Sequence, residues 1–509
     1  VAVPVAEDAP SRRTRATLQV MAWTLLGKLA GIVWRSLVSA LLGATRLSDA
    51  YSAIQILPQA IISIETQAFS TVTVPFFHES PEEAPRLLSA LGRVVLLSIA
   101  PLALLLGFLA PLYLPRLYHI GPSGVHAVSL VVWFVAAMIV PLALAAVWTG
   151  RLNALRRFGP LSAANLARSG STLALIFLLR GYGLLGIGIG LLGGTLLQLL
   201  FMVPATAPFA QPRPETWQRT FRMLRLLPSQ VTSSVVGQVN FFVDQFFASS
   251  LAAGSLFELQ NAGQFLELPV TLIGQSLATV LFPDFAEHAK ARDPAGLVGA
   301  VDRALYLTWV ATLPIAALLI GMSRPVVDVV FHHGHYGRDA VIATAAIVAA
   351  YAVSLVFRTM QQFLLRAFYS YKNTRILGRL SLLAMLANAG LDYGLMLLMG
   401  TPGIALSTTI VSGLYFLSSL FYLQRLLGTR GISPAPYLRA LLIALPLAPL
   451  GYVLSRGSWL HGWLMQLGLV VAIGSVLLGL YLLLLWSLGG ERGRSAIRVV
   501  RGALPLGRA

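Results

Sequence analysis

Fourteen apolar stretches follow one another along this chain, each about as long as a helix needs to be to cross roughly 30 Å of hydrocarbon. They cover 18–43, 50–77, 87–113, 125–149, 160–180, 183–207, 224–250, 256–284, 303–323, 340–368, 377–399, 402–424, 436–455 and 461–486. A segment in lipid must satisfy its own backbone N–H and C=O groups, so it is a helix or part of a closed barrel. A barrel would show apolar–polar alternation over about ten residues, and that pattern is absent. The chain reads as an all-α polytopic membrane protein with about 14 transmembrane helices. Composition agrees: 57% of residues are hydrophobic and 11% charged, against roughly 25% charged in a soluble domain. High hydrophobicity with so little charge also excludes disorder.

The net charge of +18 would suggest nucleic acid in a soluble protein. Here the basic residues sit in short gaps between apolar runs, which points to anionic lipid headgroups and away from nucleic acid. With the N-terminus placed in the cytoplasm, the cytoplasmic segments hold 26 of the 37 Lys and Arg residues, the outer segments six, and the spans five. That asymmetry predicts a multi-pass protein with both termini cytoplasmic. There is no cysteine, which excludes disulfides, thiolate metal sites and cysteine nucleophiles. The N-terminal run has no cleavage-site pattern and reads as a membrane span rather than a signal peptide. No P-loop is present, and no loop is long enough to hold a soluble catalytic domain.

Two halves echo each other at a spacing near 210 residues. Leu57-Pro58 leads to "TVTVP" ending at Pro75, and Leu268-Pro269 leads to "TVLFP" ending at Pro283. "GIGIGLLGG" from Gly186 is echoed by "GIALSTTIVSG" from Gly403. An even number of spans between copies implies a parallel repeat, as in many transporters. The expected architecture is two pseudo-symmetric six-helix lobes plus two C-terminal helices. The prolines of the second and eighth spans mark expected bends.

A charge at mid-bilayer costs at least about 2.5 kcal/mol, so charged residues inside spans need a watery cavity or a partner. Lys28 and Arg35 lie seven residues apart on one helix face. Arg358 and Arg366 share a side of the tenth span, Glu65 lies on the second, and Glu267 on the eighth. These groups fit a hydrated cationic cavity for an anionic headgroup; structural ion pairing or snorkelling is the alternative. The seventh span carries Ser233, Gly237, Asn240 and Asp244 at helical spacing, the eleventh Asn388 and Asp392 at i and i+4, and the twelfth Thr408. Two carboxylates with amide and hydroxyl oxygens suit a hard cation, Na⁺ or a proton, or serve as interhelical hydrogen-bonding glue. Gly188-x-Gly190-x-x-Gly193 lies inside an apolar span with no preceding strand, so it reads as close helix packing rather than a dinucleotide fingerprint. His332, His333 and His335 read as a metal site lacking a carboxylate partner, and so as a weak one.

The segments "GATRLSDAYSAIQILPQ", "AFSTVTVPFF", "VDQFFASSLAAGSLFELQNAGQFLELPVTLIGQSLATVLFP", "FHHGHYGRDAVIATAA" and "LLRAFYSYKNTR" resemble the MurJ/MviN lipid II flippases of the MOP exporter superfamily. The likeness covers most of residues 20–430. It implies a V-shaped pair of lobes that carries an undecaprenyl-pyrophosphate-linked murein precursor across the bacterial inner membrane by alternating access. It also implies partners in membrane lipids and the cell-wall synthesis machinery, no covalent chemistry and no required cofactor. Some relatives bind Na⁺ at positions matching Asp244, Asn388, Asp392 and Thr408. The substrate-binding set expected here is Lys28, Arg35, Glu65, Gln264, Arg358 and Arg366.

On this reading residues 1–17 are a cytoplasmic tail, 18–209 the N-lobe, 210–223 a linker, 224–430 the C-lobe, 431–488 two helices forming a lipid-tail groove, and 489–509 a basic tail. This chain departs from the family at three places. Trp34-Arg35 stands where the family usually has Arg-Asp, Ile62-Ser63 where it often has Arg-Arg, and Ala262-Gly263-Gln264-Phe265 where it typically has "ADRL". The competing functions are a flippase for another lipid-linked oligosaccharide of O-antigen or capsule type, a cation-coupled drug exporter, a membrane glycosyltransferase and a non-transporting envelope scaffold.

Overall fold

A computed structural model describes residues 10–56, 58–59, 73, 76–77, 82–117, 122–155, 157–206, 209–225, 240–274, 284–285, 287–288, 290–291, 293–370, 375–428, 432–456 and 462–503. Among these residues the regular structure is helical throughout, with no strand. Eleven helical segments are long and apolar enough to cross a membrane. The other three expected spans, over 50–77, 224–250 and 256–284, lie partly outside the described residues. The described residues divide into two compact units, one reaching to Phe242 and taking in His333–Tyr336, the other made of Val243–His332 and the chain from Gly337 onward.

The first unit contains α1 (Pro10–Leu42), α2 (Ala84–Leu117), α3 (Pro122–Ala154), α4 (Phe158–Leu178), α5 (Leu184–Thr206) and the short α6 (Pro214–Leu224). The helix of α1 begins at Pro10, so part of the expected tail is helical. α3 is the central element. Val128, Val131, Val135, Ile139, Ala143 and Val147 recur at three- and four-residue intervals and are all buried, forming the apolar stripe that helix packing requires. By contrast Leu97, Leu104, Leu105, Phe108 and Leu112 of α2 are exposed. On a membrane-spanning helix this apolar face meets lipid, so it is no aggregation liability.

The glycine-rich run of α5 packs against α4. A Cβ at Gly190 would lie 2.5 Å from Ile176 Cγ1, and one at Gly193 would lie 2.5 Å from Leu175 Cδ1. Only glycine lets the backbones approach this closely, so the GxGxxG pattern is a packing seam as its sequence context indicated. One polar bond crosses the same seam: Gln198 Nε2 donates to Asn165 Oδ1 at 2.8 Å. α6 is amphipathic and starts with Pro214 at a position where a missing N–H costs nothing. Its Met223 packs into the cluster of Leu87, Leu88, Leu91, Ala143 and Val147. Arg219 pairs with Glu83 at 3.0 Å.

The second unit contains α7 (Ser255–Pro269), α8 (Pro294–Gly321), α9 (Ser323–Phe331), α10 (Arg338–Ser370), α11 (Arg375–Met399), α12 (Thr401–Leu427), α13 (Pro434–Ala444), α14 (Leu447–Arg456), α15 (Trp463–Leu488) and α16 (Gly490–Ala503). α7 passes at Val270–Gly274 into a π-helical turn. That distortion lies directly after Pro269, as the sequence led one to expect of the eighth span. α13 and α14 form one span interrupted at Leu445-Pro446, where the proline lacks the N–H that would continue the ladder.

The C-terminal elements are tied to α8 by polar bonds. Tyr437 donates its hydroxyl to Asp302 Oδ1 at 2.8 Å, Trp309 Nε1 donates to the Tyr437 carbonyl at 3.0 Å, and Tyr481 donates to the Val310 carbonyl at 3.1 Å. Arg492 of α16 reaches Asp302 Oδ2 at 2.8 Å. The expected basic tail is therefore helical over Gly490–Ala503, and its first turn is anchored on a buried carboxylate.

Asp293 caps α8. Its Oδ1 accepts from the Gly296 N–H at 2.9 Å, and Pro294 opens the helix. The Gly296 N–H holds the Asp293 carboxyl below the usual carboxylate range, with help from His288. A carboxyl whose pKa is lowered by folding stabilises the fold above its unfolded pKa, about 3.9, and loses that contribution as pH falls through its folded pKa. Asp293→Ala should therefore lower the thermal unfolding midpoint at pH 7. The gap to wild type should narrow progressively as the pH is taken below about 4. Thermal unfolding monitored by circular dichroism across this range checks the prediction; a gap that stays constant down to pH 2 would contradict it.

Candidate functional site

Two polar clusters lie inside the apolar body, one in each unit. In the first unit, α1, the helical residues 46–56, α4 and α5 enclose a cavity of about 260 Å³. Arg35 and Trp34 reach it from α1, Gln55 and Gln59 from the next segment, Arg168, Ser169 and Thr172 from α4, and Thr195 from α5. The Arg35 guanidinium carbon lies 5.2 Å from the centre of the Trp34 ring, within cation–π range. Arg168 Nε and Gln55 Nε2 are buried donors with no hydrogen-bond acceptor among the described residues. Among the described residues the lining includes two guanidinium groups and no carboxylate.

Of the residues expected to meet an anionic headgroup, Arg35 lines this cavity and Lys28 does not. The two share a face of α1, but seven residues along a helix amount to about 10 Å of rise, so one small cavity does not take both. Lys28 is half-buried. Glu65 lies outside the described residues. The other expected groups belong to the second unit: Gln264 is half-buried on α7, Arg358 is exposed on α10, and Arg366 is half-buried about two turns further along the same helix. Arg168 and Gln55 were missed as site residues. A signal for Arg168 was present, because Ser162, Asn165, Ser169 and Thr172 form a polar stripe at helical spacing on α4.

In the second unit Asp244, Asn388, Asp392 and Thr408 come together. Asn388 Nδ2 donates to Asp244 Oδ1 and to Asp392 Oδ2, each at 2.7 Å. Thr408 Oγ1 donates to Asp244 Oδ2 at 3.0 Å. The three acidic and amide residues are almost wholly removed from solvent: Asp244 is 6% exposed, Asn388 1% and Asp392 0%. Ser407, which the sequence did not single out, donates to the Asn388 carbonyl at 3.3 Å and so fixes α12 against α11. Asn240, one turn before Asp244, leaves its Oδ1 buried without a donor among the described residues, and so does Asp392 with its Oδ1. Ser233 and Gly237 of the same expected stripe lie outside the described residues.

Two buried carboxylates bridged by one amide repel each other strongly when both are ionised. A positive charge placed among them relieves it. The available donors are oxygens: two carboxylates, a threonine hydroxyl and an asparagine amide, whose oxygen and nitrogen exchange places on a flip of the side chain. An oxygen set of this kind suits a hard cation, and the buried acceptor Asp392 Oδ1 offers it further capacity.

The histidines behave differently from the expectation in one respect. His332 does have a carboxylate partner, since its Nδ1 lies 2.8 Å from Asp328 Oδ1 one helical turn earlier. His335 is engaged with the Ala40 carbonyl through both its backbone N–H at 2.8 Å and its ring at 3.2 Å. Among the described residues no three metal-ligating side chains of His, Cys, Asp or Glu type converge.

Residues 38–473 match the family described as "Lipid II flippase MurJ". A "Lipid II flippase MurJ" from Burkholderia cenocepacia is 24% identical over 83% of this chain and 85% of its own length. A "Probable lipid II flippase MurJ" from Buchnera aphidicola is 28% identical over 38% of each chain, so that alignment spans well under half of either protein. In fold, the chain is similar to a solved structure titled "Lipid II flippase MurJ, inward closed conformation", with a TM-score of 0.75, 22% identity and coverage of 92% of this chain and 98% of the other. With a match that runs from α1 into α15, the chain belongs to the MurJ family of lipid II flippases.

Proposed function

We propose that this multi-pass protein moves the undecaprenyl-pyrophosphate-linked peptidoglycan precursor lipid II from the inner to the outer leaflet of a bacterial inner membrane. The observation that carries this reading is the family match over residues 38–473. The cavity on Arg35 adds chemical support, since a charged headgroup needs cationic, hydrated surroundings to leave water for the membrane interior. No covalent bond is made or broken. The work is to lower the barrier to moving a pyrophosphate and its sugars through hydrocarbon, by alternating access. Arg35 pairs with the pyrophosphate; Lys28 and Arg366 supply further positive charge, with Gln264, Glu65 and Arg358 on the route. The two C-terminal spans provide the groove for the lipid tail. Both termini lie in the cytoplasm, and the enzymes that make and polymerise the precursor are the neighbouring machinery.

A cation at Asp244, Asn388, Asp392 and Thr408 would couple the cycle to the membrane potential. An inward-negative potential favours inward cation movement by about 2.3 kcal/mol per charge per 100 mV. Neutralising two facing carboxylates favours the packed form of α11 and α12 that the hydrogen bonds describe. Na⁺ fits the all-oxygen set, and a proton would supply the same neutralisation. One observation favours a second cargo: Trp34, Ile62, Ser63 and Gln264 stand where the family commonly carries arginine or neighbouring charge, so another lipid-linked oligosaccharide is the runner-up.

Depletion of the protein in its native host should leave lipid II trapped in the inner leaflet, and the gene should complement a bacterium lacking its own flippase; normal wall synthesis on depletion would favour the other cargo. Lys28→Ala combined with Arg35→Ala should abolish flipping, at least 100-fold, with normal amounts of folded protein in the membrane. Full activity in that double variant would remove the cationic assignment. Sodium should raise the thermal unfolding midpoint of the purified protein, and Asp392→Ala should abolish the rise. A sodium-dependent shift unchanged in Asp392→Ala would discard the cation site.

A further inference from the structure

We propose that α6 is an anchor at the membrane surface: it lays Trp217 and Phe221 into the headgroup–acyl boundary of one leaflet and sets Arg222 and Arg225 on the phosphates of anionic lipids. The proposal concerns the lipid surface and is independent of the cargo.

The helix is too short and too charged to cross the bilayer. Its 11 residues rise about 16 Å, roughly half the thickness of the hydrocarbon. Its level is fixed by what it touches. Met223 belongs to the buried cluster of Leu87, Leu88 and Leu91, from the first two turns of α2, and of Ala143 and Val147, from the last three turns of α3. Arg219 is held at 3.0 Å by Glu83, the residue just before α2. α6 therefore lies where α2 enters the membrane and α3 leaves it.

Three faces divide the helix. Thr216, Thr220 and Met223 are buried against the first unit. Beside them, at i, i+4 and i+7, run Trp217, Phe221 and Leu224. The Trp217 and Phe221 rings lie 6.2 Å apart, and Phe221 is 55% exposed. Past this apolar edge come the exposed Arg225 and Arg222, and then the exposed Glu215. An open aromatic edge bordered by arginines is the pattern of a helix that lies in the interface plane, its apolar side about 5–10 Å deep. A second observation puts rings at the same level. Phe209, in the segment between α5 and α6, is 44% exposed and packs on Trp148 of α3 with ring centres 5.8 Å apart. Trp148 is the residue after Val147, which shares the cluster of Met223. Aromatic rings gather at this depth because one end meets acyl chains and the other headgroups.

One occupant satisfies both kinds of group. An acidic protein would meet the arginines but leave the aromatic edge, which adjoins the spans, without a partner. A leaflet supplies acyl chains to the rings and phosphates to the guanidinium groups at once. With both termini in the cytoplasm the leaflet is the cytoplasmic one, whose anionic lipids attract basic segments.

The chain has no cysteine, so a single introduced thiol carries a fluorescent NBD label without ambiguity. The full-length protein is placed in nanodiscs of phosphatidylcholine and phosphatidylglycerol in equal amounts. The label on Phe221→Cys should be quenched at least twofold more by lipid with a nitroxide high on its acyl chain than by lipid with one near the chain end, and it should resist aqueous iodide. Glu215→Cys should be open to iodide and hardly quenched by either lipid. Should Phe221→Cys fail to fold, Trp217→Cys should give the same result. With the nitroxide carried by phosphatidylglycerol instead of the same amount of phosphatidylcholine, quenching at position 221 should at least double. Arg222→Gln together with Arg225→Gln should bring that ratio close to one. Iodide that reaches position 221 as readily as 215 overturns the anchor. So does a label at 221 that neither iodide nor lipid reaches, which would mean that protein covers this edge. Equal quenching by the two headgroups, or a ratio unchanged in the double arginine variant, overturns the role of Arg222 and Arg225.

Discussion

A hydrogen-bonding or charged group inside hydrocarbon has to find its partner within the protein, because water is not there to supply one. That requirement governs how both units are built. It makes every span a helix. It also explains why α4 and α5 spend a run of glycines on close approach, since the short distance lets Gln198 reach Asn165 across the seam. In the second unit the same requirement draws Tyr437, Trp309 and Arg492 around α8, so that the buried Asp302 is matched on both oxygens. Helix packing in a membrane has little hydrophobic force to draw on, and these polar bonds carry part of the specificity instead.

Where the requirement is not met, function is the physical reading. The two clusters leave opposite groups unmatched among the described residues. Beside the cavity of the first unit they are the donors Arg168 Nε and Gln55 Nε2. Beside the carboxylates of the second unit it is the acceptor Asp392 Oδ1. One calls for an anion and the other for a cation. A lipid II flippase has an anionic headgroup to carry, and the proposed cation would be a charge on which the membrane potential can act.

Much of this was legible in the sequence, for reasons of range. Hydropathy sums over twenty residues and does not depend on tertiary contacts, so the spans could be placed. Pro269 acts on its own helix, and the distortion sits beside it. Asn388 and Asp392 are four residues apart on one helix, so their proximity was certain once the helix was. Other features depend on contacts between distant residues. The helix Gly490–Ala503 reads in sequence as a charged tail, because its buried face is made of small residues such as Gly493 and Ala496 and its anchor, Asp302, lies 190 residues away. Arg168 could be counted inside the membrane, but its direction depends on the rotation of α4 against α1 and α5. Lys28 and Arg35 are seven residues apart, which already sets about 10 Å of rise between them; what the sequence does not carry is that the cavity beside Arg35 is too small to span that distance. His332 was read without a carboxylate although Asp328 stands one turn before it; that pairing was within reach of the i, i+4 rule.

The cavity of the first unit is lined by Arg35 and Arg168, and their charge sets the local potential at any group placed there. The chain has no cysteine, so a single introduced thiol is an unambiguous reporter. Ser169 lines the cavity and is largely buried. In membranes holding Ser169→Cys, with each rate divided by that reagent's rate on a free thiol in solution, a negatively charged methanethiosulfonate reagent should be favoured roughly tenfold over a positively charged one of similar size; the two differ by two charges, so this is about 0.7 kcal/mol of local potential per unit charge. A thiol that neither reagent reaches, or one that the cationic reagent modifies faster, would contradict it.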